Sequence, residues 1–227
     1  SKKKVVLIEC GWCANQGIQD SFIQASNSLC NSVKIIRVDG RNHDIKLNSF
    51  AAADIFCSLS DNIQETFGIT PIEAMAAGLP VIVSDWDGYK DSIVDGLEGF
   101  LIPTFMPDSG FGLDLAYRYA SDIDNYDMYL GNISNFISVE FNSLSKAFHE
   151  LINNQQLRVD MGMNGKKKVQ EEFDWSKIIQ KYKELWDELK SIRLTSKDIN
   201  YHWSARLDPN NLKIYESITT ISQSLGR

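Results

Sequence analysis

The most informative stretch of this chain runs from residue 65 to residue 83. It reads Glu65-Thr-Phe-Gly-Ile-Thr-Pro-Ile-Glu73, followed directly by Ala74-Met-Ala-Ala-Gly-Leu-Pro-Val-Ile-Val83. It joins a loop to a helix, and the helix to an apolar strand. Thr70 is a favoured N-cap, Pro71 suits the first helical position, and Glu73 follows three residues after the cap. The pattern therefore predicts a helix that begins at Thr70 and ends near the glycine before the strand.

The two glutamates of this segment flank the predicted helix start. A helix N-terminus exposes unpaired N–H groups and a partial positive charge of about half a unit, which makes it a ready site for an anion such as phosphate. Glu65 precedes the helix, and Glu73 falls within its first turn. Because a carboxylate accepts hydrogen bonds from the hydroxyls of a sugar or a ribose, this arrangement suits a nucleotide diphosphate sugar.

Two plainer structural roles fit parts of the same segment. Thr70 and Glu73 have the spacing of a capping box, in which the glutamate only returns to the N–H of the cap residue. Glu65 alone is compatible with a solvated loop acid. The additional presence of Phe67-Gly68 before the helix and Gly78-Leu-Pro80 after it favours a sugar-nucleotide site.

With these residues, the segment resembles the donor-sugar site of family 4 retaining glycosyltransferases, which have the GT-B fold. The resemblance implies that Glu65 holds hydroxyls of the donor hexose and that Glu73 holds the ribose. These two glutamates are the candidate catalytic-site residues. Neither of them needs to act as a general base in the chemistry that the resemblance implies.

The resemblance also implies residues that bind the nucleotide and its diphosphate. Gly68 and Ile69 would lend backbone N–H groups to the diphosphate, with Thr70 next to them in the chain. Arg37 and Val38 end the second predicted strand, in a loop expected to face the same crevice. No cofactor and no metal are implied, because the helix N-terminus and cations hold the leaving diphosphate.

The rest of the chain alternates strands with helices. This order predicts an α/β fold with a Rossmann-like parallel sheet and helices on both faces, the C-terminal half of a GT-B enzyme. Apolar residues at helical spacing, from Ile18 to Leu29, mark the first helix, and a second such stripe begins at Ile178. The predicted strands are 5–8, 33–38, 54–59, 81–84 and 99–102.

Four regions are expected along the chain. They are a donor-binding α/β core at 1–103, a family-atypical insertion at 104–140, closing helices at 141–190 and a C-terminal extension at 191–227. The insertion carries seven aromatic residues, which would form an acceptor platform or, as we favour, the packing of an extra helical pair. The resemblance covers about two-thirds of the chain.

One departure from the family concerns charge. Members open this half with a strand that ends in Gly-Arg, followed by Lys-Gly, and the two cations grip the diphosphate. No such pair is present in the 227 residues. We therefore expect the cationic strand and the acceptor-binding domain to lie upstream of Ser1, and we expect this chain alone to be inactive.

Composition limits the partners and the location. A net charge of -7 argues against nucleic acid. No apolar run reaches the length of about 20 residues that a membrane span needs, so we expect a cytoplasmic protein with at most peripheral membrane association. The four cysteines have no framework spacing and are expected to be reduced. Cys10-x-x-Cys13 leaves a redox pair as a minor alternative.

These observations lead to a functional hypothesis. The chain is expected to be the donor-binding domain of a retaining hexosyltransferase, which moves a hexose from a nucleotide diphosphate sugar to a saccharide or lipid-linked acceptor hydroxyl. One alternative is a non-catalytic sugar-nucleotide-binding or assembly module of the same fold. Another is a phosphorylase or epimerase of similar architecture, which would need groups that the sequence does not supply.

Overall fold

The computed structural model describes residues 3–195. Strands alternate with helices as far as residue 102, as the sequence predicts. The strands are β1 (Val6–Gly11), β2 (Lys34–Asp39), β3 (Phe56–Ser58), β4 (Val81–Ser84) and β5 (Gly99–Ile102). The helices between them are α1 (Gln16–Leu29), α2 (His43–Ala52), α3 (Ile69–Ala76) and α4 (Tyr89–Ser92).

All five of these strands run in parallel pairs, but they form two sheets. β1 pairs with β2, and β4 lies between β3 and β5 in a three-stranded sheet. The predicted α/β class with parallel strands and flanking helices is confirmed, whereas a single continuous sheet is not what the described residues form. Val6 of β1 is 48% exposed and Leu7 is 45% exposed, so this strand is not enclosed as a central strand would be.

Strand β4 is the centre of the hydrophobic core. Successive side chains of a strand point to opposite faces, and Val81 and Val83 accordingly pack on the face of the sheet that α3 and α4 cover. Ile82 packs on the other face, together with Leu144 and Leu151 of the helix that begins at Phe141. All four residues of β4 are buried, because helices cover both faces of this sheet.

Helix α3 ends in a turn with a left-handed glycine. The N–H of Gly78 donates to the carbonyl of Met75, and the N–H of Leu79 donates to the carbonyl of Ala74. Gly78 has a φ of 82°, which only glycine adopts without steric cost. The predicted glycine stop is therefore confirmed, and it places the chain at the start of β4.

The insertion forms a helical pair on a small antiparallel ribbon. The ribbon pairs β6 (Thr104–Phe105) with β7 (Ser138–Val139), and the helices are α5 (Leu113–Ala120) and α6 (Tyr126–Ser134). Tyr119 stacks on Tyr129 with ring centroids 4.9 Å apart. Other aromatic side chains remain at the surface, for example Tyr117 at 69% exposure. The helical pair was predicted, but the packing of its aromatic residues is only partly buried.

Two long helices and a final one follow the insertion. They are α7 (Phe141–Asn153), α8 (Gln155–Lys168) and α9 (Trp175–Thr195), with a π-helical segment at Val169–Phe173 between the last two. The stripe that begins at Ile178 lies on α9, where Trp186 is 60% exposed. From residue 196 onward, the predicted extension lies outside the described residues. None of the helices within residues 3–195 is long and apolar enough to cross a membrane.

The fold predicts a specific effect of substituting Gly162 in α8. Alanine usually stabilises a helix interior by about 1 kcal/mol relative to glycine. A Cβ at Gly162, however, would lie 2.0 Å from the carbonyl oxygen of Gly78. Because that oxygen belongs to the backbone of the α3 turn, we expect Gly162→Ala to lower the free energy of unfolding by about 1–3 kcal/mol, measured by calorimetry.

Gly131 in α6 provides the matched control. A Cβ there meets no atom within 4 Å. Gly131→Ala should therefore leave the melting temperature unchanged or raise it. If both substitutions had the same effect, the close packing of α8 on the α3 turn would be refuted.

Candidate functional site

The entry to helix α3 differs from the sequence prediction. The helix begins at Ile69, and Gly68 is the cap residue, with a left-handed φ of 73° and no side-chain hydrogen bond to the first turn. Thr70 is thus the second helical residue, not the N-cap, and Pro71 is the third. The prediction was wrong because a left-handed glycine can turn the chain into the helix without a capping side chain.

Gly68 is held in place by Tyr89. A Cβ at Gly68 would lie 1.9 Å from Cε1 of the tyrosine ring, so no side chain fits there. Gly88 meets the same loop from the other side, since its Cβ would lie 2.0 Å from the carbonyl oxygen of Thr66. Gly88 therefore allows the loop after β4 to touch the backbone of the loop before α3, and Gly68 leaves room for the Tyr89 ring.

The hydroxyl of Tyr89 is the polar centre of this contact. Tyr89 is 1% exposed, and its hydroxyl lies 3.0 Å from Oγ of Ser58 at the end of β3. Burial raises the pKa of Tyr89, and the nearby Glu65 carboxylate raises it further, while hydrogen bonds with Ser58, Thr70 and Ser60 act in the opposite direction. The hydroxyl thus interacts with the end of β3 and with the start of α3, and it lies near Glu65.

The loop between β3 and α3 is also fixed by residues at the end of β4. Oγ of Ser84 donates to the carbonyl oxygen of Ser60 at 2.6 Å. The indole N–H of Trp86 donates to the carbonyl oxygen of Asn62 at 2.9 Å. A loop tied down in this way holds Glu65, which is half-buried, in a restricted position.

Glu73 has a partner that the sequence analysis did not identify. Nζ of Lys46 in α2 donates to Oε1 of Glu73 at 2.7 Å, and the two side chains are 31% and 33% exposed. The carboxylate therefore does not close a capping box with Thr70, which is inside the helix. Lys46 lies 27 residues before Glu73 in the sequence, so no local spacing pattern connects the two.

Arg37 and Val38 line a cavity of about 250 Å³ beside the carboxyl ends of β1 and β2. The residues that line it do not include Glu65, Glu73, Gly68, Ile69 or Thr70. The structure thus places the predicted site residues in two groups, one around the start of α3 and one in this cavity. Other residues that line the cavity include Glu9, Trp12, Cys13, Asp39 and Arg41.

The charges of the cavity are already balanced. Nε of Arg37 lies 2.7 Å from Oε2 of Glu9, and the guanidinium lies 4.5 Å from the ring centre of Phe22. Hydrogen bonds from Arg41 hold the pKa of Asp39 down at about 2, and the Arg41 guanidinium lies 5.6 Å from the Trp12 ring centre. The cavity therefore offers an indole and two guanidinium groups without a free excess of positive charge.

The cysteine and histidine side chains form neither a disulfide nor a metal site in the part of the chain that the structure describes. All four cysteines are free thiols, with Cys10 exposed and Cys13 half-buried in the wall of the cavity. Within residues 3–195, no three His, Cys, Asp or Glu side chains come together as a metal site requires. The redox alternative for the Cys10 and Cys13 pair stays an untested prediction.

Known sequences match parts of the chain. The sequence model of the family described as "Glycosyl transferases group 1" matches residues 1–109. A phosphatidyl-myo-inositol mannosyltransferase of Mycobacterium tuberculosis is 40% identical over 63 residues, which is 28% of this chain and 16% of that protein. An uncharacterized glycosyltransferase of Methanocaldococcus jannaschii is 25% identical over 159 residues, 70% of this chain and 35% of that protein.

Solved structures match a larger part of the fold. The HepE protein of Anabaena, crystallised with UDP-glucose, superposes with a TM-score of 0.54 at 20% identity, over 82% of this chain and 41% of that one. Sucrose-phosphate synthase from Thermosynechococcus elongatus gives a TM-score of 0.52 at 21% identity, over 83% and 39%.

The aligned region spans about two-fifths of each of these solved chains. At this level of identity the likeness concerns the fold, which is the Rossmann-like α/β fold of GT-B glycosyltransferases. The family match and the structural match agree with each other and with the resemblance of the α3 segment. Over residues 1–109, this chain is similar to the glycosyl transferases group 1 family.

Proposed function

We propose that residues 1–227 contain the donor-binding domain of a retaining glycosyltransferase, which takes a hexose from a nucleotide diphosphate sugar. The observation that carries this proposal is the left-handed turn at Gly68, which is packed against Tyr89 and opens helix α3 between Glu65 and Glu73. The family match and the UDP-glucose in the HepE complex support the same substrate class.

The start of α3 suits a diphosphate. The first N–H groups of a helix have no partner inside the helix, and here they belong to Gly68, Ile69 and Thr70, since Pro71 has no N–H. The Tyr89 ring fills the space of the missing Cβ at Gly68, whereas Ile69 is 65% exposed, so in this proposal a phosphate oxygen approaches the helix start from the side of Ile69. In this proposal Gly68 and Ile69 donate to the diphosphate.

In this proposal the two glutamates bind different parts of the donor. Glu65 lies on the loop that Ser84 and Trp86 hold in place, and in the proposal it accepts hydrogen bonds from hydroxyls of the hexose. Glu73 lies one turn inside α3, beside α2, and in the proposal it accepts from the ribose. The base would extend toward the cavity beside Arg37 and Val38, where an indole and two guanidinium groups provide surfaces for stacking.

Three cations near this site, within the residues that the structure describes, have carboxylate partners. Arg41 pairs with Asp39, Lys46 with Glu73 and Lys90 with Asp85, at 2.7, 2.7 and 3.9 Å. A donor diphosphate adds about two negative charges, and a helix terminus offsets only about half a charge. We therefore propose that further cations, and the saccharide or lipid-linked acceptor, come from a domain outside these residues.

The proposed transfer keeps the configuration at the anomeric carbon. The acceptor hydroxyl attacks that carbon on the face that the diphosphate leaves, the bond to the diphosphate oxygen breaks, and the leaving phosphate takes the hydroxyl proton. In this scheme neither a metal nor a cofactor is required, because the helix N-terminus and cations stabilise the leaving group. Glu65 and Glu73 position the donor, and neither serves as a general base.

Substitution of the two glutamates should separate their roles. Glu73→Ala is expected to weaken binding of the bare nucleoside diphosphate by about 1–3 kcal/mol, since a charged hydrogen-bond acceptor is lost. Glu65→Ala should weaken binding of the sugar conjugate more than binding of the bare nucleotide. Calorimetric titrations of both variants with UDP and UDP-glucose, and with the guanosine and adenosine counterparts, measure this difference.

Equal losses for nucleotide and conjugate in both variants would remove this assignment of roles. Glu171→Ala is a suitable control, because Glu171 is exposed and forms an ion pair with Lys167 at 3.9 Å. It should bind all of these compounds as the unmodified chain does.

A further prediction separates the enzyme from a non-catalytic binding module. Because the described cations near the site are already paired, residues 1–227 alone should bind nucleotide weakly, with an affinity that falls as salt is added. We expect no hexose transfer by this chain alone. A longer protein that carries the acceptor domain and its cations should transfer hexose, as followed by release of the nucleoside diphosphate.

Transfer by residues 1–227 alone would show that the catalytic groups have been misplaced. Nucleotide binding without transfer by the longer protein, across a panel of acceptors, would favour the non-catalytic module.

A further inference from the structure

We propose that Lys46 is a positioning residue of the donor site, which orients Glu73 so that the glutamate accepts hydrogen bonds from the ribose. This inference rests on the proposed function above and names a residue that the segment from Glu65 to Glu73 does not contain. The hydrogen bond from Nζ of Lys46 to Oε1 of Glu73, 2.7 Å long, is the contact that carries it.

Helix α2 delivers the ammonium group from a fixed position. The side chain of Asn42 caps this helix by accepting from the N–H of Ile45 at 3.1 Å. Phe50, near the other end, packs against the core cluster that contains Met75 of α3. Since the backbone of Lys46 lies between these two anchored points, its side chain can restrict the rotamers of Glu73.

The geometry leaves the carboxylate able to bind a ligand. The hydrogen bond from Lys46 uses Oε1, whereas an ionised carboxylate has two oxygens and about four acceptor positions. Both side chains remain about one-third exposed, at 31% and 33%, so a ligand can reach the pair. Lys46 would hold one oxygen while the ribose hydroxyls approach the other.

Lys46 is expected to act on the binding of the ribose and not on the fold. Because partly exposed ion pairs contribute little to folding, the main effect of removing Lys46 should be on ligand binding rather than stability.

The test compares binding of a nucleotide that has ribose hydroxyls with binding of one that lacks them. Residues 1–227 and their Lys46→Met variant are titrated calorimetrically with UDP and with 2′,3′-dideoxy-UDP, or with the GDP or ADP pair if that nucleotide binds more tightly. We expect Lys46→Met to weaken UDP binding about 5- to 20-fold, the scale of one charged hydrogen bond. The dideoxy compound should lose less than about twofold.

Three further variants complete the design. Lys46→Arg keeps a cationic donor and should bind UDP within about threefold of the unmodified chain. In a Glu73→Ala background, Lys46→Met should cause no additional loss, because the lysine acts through the glutamate. Lys167→Met removes an exposed lysine of α8 that is 73% exposed, and it should leave binding unchanged.

The outcomes separate this inference from the proposed function. Failure of the unmodified chain to bind any nucleoside diphosphate overturns the proposed function and this inference together. Normal binding with no effect of Lys46→Met overturns only the role of Lys46. An equal loss for UDP and its dideoxy analogue, or a further loss in the Glu73→Ala background, also overturns it, because either result means that the lysine contacts the ligand independently.

Discussion

The contact between Gly68 and Tyr89 is the constraint on which the proposed site depends. A left-handed φ at Gly68 turns the chain into α3, and the tyrosine ring occupies the space that a side chain would need. This arrangement settles where the first N–H groups of α3 point. It also places the Tyr89 hydroxyl beside Ser58 at the end of β3. Strand β3, the loop after it and the start of α3 are therefore positioned by one another.

Local patterns predicted the elements that local interactions determine. Strands β4 and β5 have the predicted bounds, because each is a short apolar run between turn residues. The glycine that ends α3 was also predicted from the local sequence. The start of α3 was not predicted correctly. Thr70 is also a favoured N-cap residue by sequence, and only the packing against Tyr89 favours the turn at Gly68. The division of the strands into two sheets likewise depends on tertiary contacts.

The site shows the same limit for charge. Glu65 and Glu73 were identified from their spacing around a helix start, but Lys46 reaches Glu73 from another helix and Arg37 pairs with Glu9 across two strands. Such partners are visible only when distant segments meet. They also change the interpretation, because they show that Lys46 and Arg37 are already paired with acids. Under the proposed function, a bound diphosphate therefore needs additional positive charge outside these pairs.

The most direct test of this account is to observe which backbone amides respond to a nucleoside diphosphate. In a two-dimensional NMR titration of the ¹⁵N-labelled chain with UDP or GDP, the amides of Gly68 and Ile69 should show the largest shifts. The corresponding nucleoside, which lacks phosphate, should leave these two amides nearly unchanged. Shifts that are absent at millimolar nucleotide, or that concentrate on the helical pair α5 and α6, would contradict the placement of the diphosphate at the start of α3.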